Sequence, residues 1–219
     1  AGLIDVFGRS SLQGFGDTLL AARTDIRATG LPVSTGTSLL GSLSAAGRLE
    51  LAAAQVYPTT FSDFRVDVTG AGATPGVLAI TGNGATPGAV LSAAGKLRLA
   101  ADEIVQAGAI RAPLGQVEFI ARDSLTLAAG SLTSVSADGQ LLPFGRVTGG
   151  TSWTYESVPG ITPDIPAPPE KRVRLEGEAI SVADGAVVDL SGGGDLYAYE
   201  FLPGPGGSVD ALAPGVNPN

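Results

Sequence analysis

The amino-acid sequence predicts an all-β fold, a right-handed parallel β-helix in which coils of about 20 residues stack as a solenoid with loop excursions. Three observations lead to this prediction. One strand-like phrase recurs along the chain, the 219 residues include 32 Gly and 15 Pro with only 5% aromatics, and the apolar residues are mostly Ala, Leu and Val in short alternating runs. Small side chains of this kind suit the narrow core and tight corners of a stack of short strands.

The recurring phrase is GRLELAAAQV from Gly47, GKLRLAADEI from Gly95, GQVEFIARDSLTL from Gly115 and KRVRLEGEAISV from Lys171. In each copy two apolar residues stand two positions apart with a charged residue between them. This alternation has the period of a β-strand and not of a helix. The pairs are Leu49 and Leu51, Leu97 and Leu99, Val117 and Phe119, and Val173 and Leu175.

One unit of the repeat contains about three short strands. A second apolar pair follows in two copies, Leu125 with Leu127 and Ile180 with Val182, and a Gly with further alternating residues comes next. The period from Gly95 to Gly115 is 20 residues, which is too short for a four-stranded propeller blade. We therefore expect about seven to nine coils at about 4.8 Å per step, forming a rod roughly 35 to 45 Å long.

Outward positions provide a test of this alignment. Arg98 and Glu118 occupy the same place in consecutive copies, so they are expected to face each other as an opposite-charge pair across one coil step. Exchanging both charges should then be tolerated, whereas Glu118→Arg alone should destabilise the protein.

Two regions depart from the repeat and divide the chain. Residues 1–140 are interpreted as β-helix coils with a loop excursion near 69–91, where GATPG at Gly72 and again at Gly84 predicts two turns flanking one strand. Residues 141–170 are interpreted as a protruding Pro-rich loop, and residues 171–219 as a further coil with a Gly- and Pro-rich continuation. Since neither end carries a convincing polar cap, the chain is expected to be a segment of a longer solenoid.

The loop of residues 141–170 holds the candidate ligand-binding residues Trp153 and Tyr155. Binding residues of solenoid proteins often lie on such excursions. The two rings either cap the flank of the core or stack on a carbohydrate through their faces. A second aromatic group, formed by Tyr197, Tyr199 and Phe201, lies in the tail.

The composition removes most catalytic chemistry. With no His and no Cys, the chain cannot build a Ser-His-Asp triad, a Cys-His pair or an ordinary structural zinc site. No phosphate-binding or dinucleotide-binding glycine motif is present, so we predict no catalytic, cofactor-binding or metal-binding residues. The acidic pair suggested for catalysis is Asp63 and Asp67, with Arg65 between them. All three alternate with apolar residues, which indicates that they lie on the solvated outward face of one strand.

Charge and hydropathy limit the partners. Thirteen basic residues against 21 acidic residues give a net charge of -8, which repels polyanions and argues against nucleic acid as a partner. No run reaches the roughly 18 apolar residues of a membrane-spanning helix, and the start, AGLIDVFGRS, lacks the pattern of a signal peptide. We therefore expect no membrane insertion.

The stretches GKLRLAADEIVQAGAIRAPLGQVEFIARDSLTLAAGS and EAISVADGAVVDLSGGGDLYAYEFLPGPGG resemble the large filamentous-haemagglutinin-like exoproteins of Gram-negative two-partner secretion. The resemblance covers most of residues 40–210. It implies a β-helical shaft that is exported through an outer-membrane transporter partner and is extracellular or displayed on the cell surface. It implies no catalytic motif within the shaft.

Three functions are compatible with these features, and the first is preferred. The chain is expected to be a non-catalytic structural shaft segment of a secreted or surface-displayed bacterial adhesin or exoprotein. The alternative is a module that binds a host or biofilm glycan, or a receptor, through the aromatic loop of residues 141–170. The third is a β-helical polysaccharide-cleaving enzyme, which requires two acids from separate coils to meet in one groove.

Overall fold

The computed structural model describes residues 1–33, 39–156 and 164–200. Within these ranges the protein is all-β, with no helix, and its strand pairs are mostly parallel. Phe201, Pro159 and Pro163 lie outside the described residues, as does the rest of the tail to residue 219. The strands are β1 (Ile4–Phe7), β2 (Arg9–Leu12), β3 (Asp17–Ala21), β4 (Asp25–Thr29), β5 (Leu31–Pro32), β6 (Leu39–Ala46), β7 (Arg48–Ala53), β8 (Gln55–Pro58), β9 (Ser62–Thr69), β10 (Val77–Gly82), β11 (Lys96–Ala107), β12 (Ala109–Arg111), β13 (Gln116–Leu127), β14 (Leu132–Ser134), β15 (Leu141–Thr148), β16 (Ser152–Thr154), β17 (Arg172–Glu176), β18 (Ala179–Val182), β19 (Val187–Asp189) and β20 (Asp195–Tyr199).

Parallel pairing arranges most of these strands in three ladders. The first ladder is β1-β4-β8-β12-β14-β19. The second is β2-β6-β9, the first halves of β11 and β13, and β17. The third is β3-β7-β10, the second halves of β11 and β13, and β18. Because β11 and β13 run through both the second and third ladders, these two ladders form one eleven-stranded sheet that also includes β5.

The chain visits the three ladders in rotation, and each visit adds one strand. The rotation is interrupted once, since β10 in the third ladder is followed by β11 in the second with no first-ladder strand between residues 83 and 95. There β8 and β12 meet directly, through the pair Val56 and Ile110. Among the described residues each ladder therefore holds six strands.

The core lies between the ladders and is built from the inward residues of each strand. Residues of equal register form continuous rows, because parallel strands place every second side chain on the same face. One row of the second ladder contains Leu43, Val66, Leu99, Phe119 and Leu175, and one row of the third contains Leu49, Leu78, Ile104, Leu125 and Ile180. The inner members are fully buried, whereas Ile180 in the last strand is exposed.

Corner glycines allow the ladders to stack closely. Gly47 has a φ of +75°, and a Cβ there would lie 2.1 Å from the carbonyl oxygen of Gly16. A Cβ on Gly115 would lie 2.1 Å from the carbonyl oxygen of Gly95. The glycines that open the repeat phrases are thus required by the close approach of one backbone to the next.

Three of the four repeat copies lie in the predicted register. Leu97 pairs with Val117 and Val117 with Val173, all in the second ladder. The copy from Gly47 does not join them, because Leu49 lies on β7 in the third ladder and pairs with Leu78. Alternating burial is the same in all ladders, so the phrase specifies an inward face without specifying which ladder the strand joins.

Within residues 69–91 the structure has an inner strand between two loops. Gly72 and Gly84 both adopt positive φ, as turns require. Between them β10 pairs with β7 on one side and β11 on the other, and its Leu78 and Ile80 are fully buried. The part of this region that leaves the ladders is therefore confined to the segments before and after β10.

Arg98 and Glu118 are direct neighbours in the second ladder, with Nε 2.8 Å from Oε2. Glu118 has a second partner, because Nη2 of Arg172 lies 2.5 Å from its Oε1. Burial raises the pKa of the Glu118 carboxyl, but the hydrogen bonds and charges of the two arginines outweigh it and hold the pKa below its ordinary value. Exchanging the charges of 98 and 118 is consequently expected to destabilise the protein, since an arginine at 118 would face Arg172 and Arg174.

Candidate functional site

A small separate sheet projects from the ladders and is called here the lateral sheet; it consists of β16-β15-β20. Strand β15 pairs antiparallel with β16 and parallel with β20. Its sequence, LLPFGRVT, alternates so that Leu142 and Phe144 are buried while Leu141 and Pro143 face outward. The sequence placed residues 141–148 and 152–154 in a protruding loop. They form strands instead, and residues 195–199 from the tail pair with the first of them.

A bulge at Gly145 shapes the lateral sheet. Between Pro143 and Arg146 the strand β15 has one residue more than the matching segment of β20, from Tyr197 to Tyr199. Gly145 has a φ of +79°, and a Cβ there would lie 2.4 Å from the carbonyl oxygen of Thr154. The bulge puts Pro143 and Arg146 on the same outward face, where they pair with the two tyrosines.

An aromatic cluster supports the lateral sheet from beneath. The ring of Phe144 stacks on that of Phe61 with centroids 5.1 Å apart, and it contacts Tyr155 at 5.6 Å. Trp153 meets Phe144 edge-on at 5.9 Å, and its indole N–H donates to the Phe144 carbonyl oxygen at 2.7 Å. Trp153 is half-buried, so its ring acts as part of the flank of the core.

Tyr155 has a different position from Trp153. Its ring packs on Phe61 at 4.7 Å and also lines a surface groove. Burial raises the pKa of its hydroxyl, and a hydrogen bond with Thr60 partly opposes this. The Tyr155 hydroxyl is therefore held by Thr60, and the Tyr155 ring, packed on Phe61, forms one wall of the groove.

The groove has a volume of about 530 Å³, within the range of small-ligand sites. The Phe144 and Tyr155 rings, the Arg146 and Glu156 side chains, and Tyr197 and Tyr199 line it. Tyr197 is 54% exposed and Tyr199 58% exposed. The two opposite charges lie close together, with Nη2 of Arg146 3.9 Å from Oε2 of Glu156.

The structure brings Trp153 and Tyr155 into one cluster, but only Tyr155 reaches the groove. Tyr155 is the one groove residue that the sequence identified as a ligand-binding candidate; Arg146, Glu156, Tyr197 and Tyr199 are among those that it did not. A signal for the tyrosines exists in DLYAY, where alternation places both rings on one face of a strand. Their proximity to Tyr155 depends on β20 pairing with β15, a contact between distant parts of the chain.

Asp63 and Asp67, the acidic pair that the sequence suggested for catalysis, do not converge. Asp63 and Asp67 lie on the outward face of β9, where Arg65 forms an ion pair with Asp67. Four residues of extended chain separate the two acids by about 13 Å. A second groove, of about 550 Å³, is lined by both Asp67 and Glu176, but three strand steps of about 4.8 Å lie between these acids. Both separations exceed the roughly 5 to 9.5 Å between the carboxyl groups of glycosidases.

Within residues 1–33, 39–156 and 164–200, no group of three or more Asp, Glu, His or Cys side chains could hold a metal ion. The same part of the chain has no helix with the length and apolar character needed to cross a membrane.

The chain matches no family model, no curated protein and no solved structure. The family resemblance indicated by the repeat phrases consequently remains a proposal, based on the residues that carry it.

Proposed function

We propose that the chain is a non-catalytic shaft segment, a right-handed parallel β-helix that supports binding surfaces of a secreted or surface-displayed bacterial exoprotein. The observation that carries this proposal is the repeated passage of the chain through three ladders of parallel strands, in which the inward residues of successive strands lie side by side. Right-handed crossovers are the strong preference for parallel strands. Six layers at about 4.8 Å per step give a rod about 24 Å long between its first and last strands.

The proposed location and export route rest on the resemblance of the repeat to filamentous-haemagglutinin-like exoproteins. In this proposal the chain crosses the outer membrane of a Gram-negative cell through a transporter partner and folds outside. Antibodies raised against the chain should label intact producing cells. Labelling that requires permeabilised cells would contradict the surface location.

Deletion of one coil tests the shaft proposal. Removing residues 96–115 deletes one strand from each ladder and brings Gln116 to the place of Lys96 beside Asp63. Thr133 then takes the place of Ile110 beside Val56. We expect a folded β-protein with cooperative thermal unfolding, measured by circular dichroism.

A deletion of half that length is the matched control. Removing residues 96–105 destroys the register of the second and third ladders, so cooperative unfolding should be lost. If both deletions unfold the protein alike, the coil interpretation is wrong. Release of reducing ends from polygalacturonate by the intact chain would contradict a non-catalytic role.

A binding module is the second candidate function, and the groove on the lateral sheet favours it. Tyr155, one of the two predicted ligand-binding residues, lines this groove together with two exposed tyrosines. A shaft with a lateral binding surface combines the two functions without requiring catalysis.

A further inference from the structure

We propose that the groove on the lateral sheet binds a neutral oligosaccharide, with Tyr197 and Tyr199 as the stacking platform and Arg146 with Glu156 as the polar contacts. This proposal deepens the binding function named above and rests on it. It assigns the main contact to β20, whereas the sequence had indicated Trp153 and Tyr155.

The platform follows from the backbone of β20. Tyr197 and Tyr199 alternate with half-buried neighbours, so both rings project from the outward face. Two residues of extended strand place the rings about 6.6 Å apart along the strand. Each ring is more than half exposed, and contiguous exposed apolar surface is a feature of interaction sites. Two rings side by side offer apolar faces to two successive pyranose rings.

The supports beneath the platform are rigid. Pro143 pairs with Tyr197 and Arg146 with Tyr199, which fixes both tyrosines at the backbone. Phe144 and Tyr155 form a packed wall beside them. The ring contact between Phe144 and Tyr155 holds this wall in place, so its side chains lose little freedom when a ligand binds.

The polar contacts suit hydroxyl groups. Arg146 and Glu156 both line the groove, with Nη2 of the arginine 3.9 Å from Oε2 of the glutamate. A sugar hydroxyl can accept a hydrogen bond from a guanidinium N–H and donate one to a carboxylate oxygen, so one hydroxyl can contact both side chains.

The charges favour a neutral sugar over an acidic one. The positive charge of Arg146 is balanced by the adjacent carboxylate of Glu156, and the whole chain carries a net charge of -8. A polyanionic glycan would therefore meet an unfavourable field with no unbalanced cation to bind it.

Titration of the full chain, followed by ¹H–¹⁵N correlation spectra, tests the proposal. The probes are cellohexaose, maltohexaose, mannohexaose and xylohexaose, with hexagalacturonate as the anionic probe. At least one neutral probe should shift the resonances of β15 and β20. Tyr197→Ala and Tyr199→Ala should each weaken its binding about tenfold, because each removes one stacking contact.

Two control variants locate the site. Leu141→Ala removes a side chain that is 61% exposed and faces outward on β15, yet lies outside the groove. Trp153→Phe removes the indole hydrogen bond to Phe144 and leaves the platform in place. Both should bind the probe within about twofold of the unchanged chain.

Several results would overturn the proposal. They are the absence of binding by every neutral probe to the folded chain, tighter binding of hexagalacturonate, or binding that is unaffected in both tyrosine variants. Loss of binding in Trp153→Phe alone would place the site elsewhere. The deletion experiment on the ladders is independent of these titrations, so a failed glycan site and a failed shaft are distinguishable.

Discussion

The ladders and the lateral sheet differ in how they use the same kind of strand. In the ladders, successive strands are parallel, and the inward residues from Leu43 to Leu175 form one continuous row, although the register between β11 and β13 shifts once at Ala101. In the lateral sheet one strand is antiparallel, one glycine forms a bulge, and two tyrosines face solvent. Repetition thus builds the buried core, and departure from repetition builds the lateral sheet with its exposed tyrosines and groove.

The largest expected effect comes from Phe119→Ala in the ladders. Phe119 is fully buried between Leu99 and Leu175, and truncating such a side chain leaves a cavity that costs about 4 kcal/mol of unfolding free energy. Because layers support one another, circular dichroism and the fluorescence of Trp153, the one tryptophan of the chain, should both report earlier unfolding.

Phe144→Ala makes the matching change in the lateral sheet. Phe144 is also buried, but its partners are the aromatic cluster around Phe61 and Trp153. Here the fluorescence transition should move while the circular dichroism transition stays close to that of the unchanged chain. Coincident loss of both signals would show that the two regions unfold as one unit.

The second effect concerns the bulge. Gly145→Ala should destabilise the lateral sheet by about 3 kcal/mol, since an alanine at positive φ costs about 1 to 2 kcal/mol and its Cβ would also clash with the Thr154 carbonyl. The control is Gly139→Ala, at a φ of +69° with no atom within 4 Å of the added Cβ, for which only the backbone cost of about 1 kcal/mol is expected. Denaturant titrations followed by Trp153 fluorescence measure both. Equal effects would mean that the close approach of β15 and β16 has no energetic weight.

The smallest effect is electrostatic and depends on pH. Glu118→Gln should lower the unfolding free energy by about 2 kcal/mol near neutral pH, because a buried carboxylate with two arginine partners is replaced by a neutral amide. The pKa of Glu118 is lower in the folded protein than its ordinary value of 4.5. The contribution is therefore present above that value and is lost as the pH falls through the folded pKa.

Urea titrations at about pH 7 and about pH 3 measure this difference. Glu176→Gln is the control, since Glu176 is half exposed and pairs with the exposed Arg174, so its loss should cost less than about 0.5 kcal/mol. An equal effect of Glu118→Gln at both pH values would show that the charge of Glu118 does not stabilise the ladders.

Much of the structure of the three ladders could be predicted from the sequence. Alternation in the copies from Gly95, Gly115 and Lys171 predicted both the inward residues and their register, because these copies are complete units with the same strand order. The copy from Gly47 was misassigned to the same ladder, since alternation is common to every ladder. Of the two residues that the sequence singled out on the loop of residues 141–170, Tyr155 lines the groove and Trp153 does not.

The sequence by itself determined that the chain forms short strands with one apolar face, that corners need glycine, and that His and Cys chemistry is absent. These properties depend on neighbouring residues and on composition, which are local. Only the tertiary structure decided that β20 joins β15, that Arg172 is a second partner of Glu118, and that β10 is an inner strand. Each of these depends on contacts between residues more than about twenty positions apart, where many pairings satisfy the same local pattern and close packing selects one.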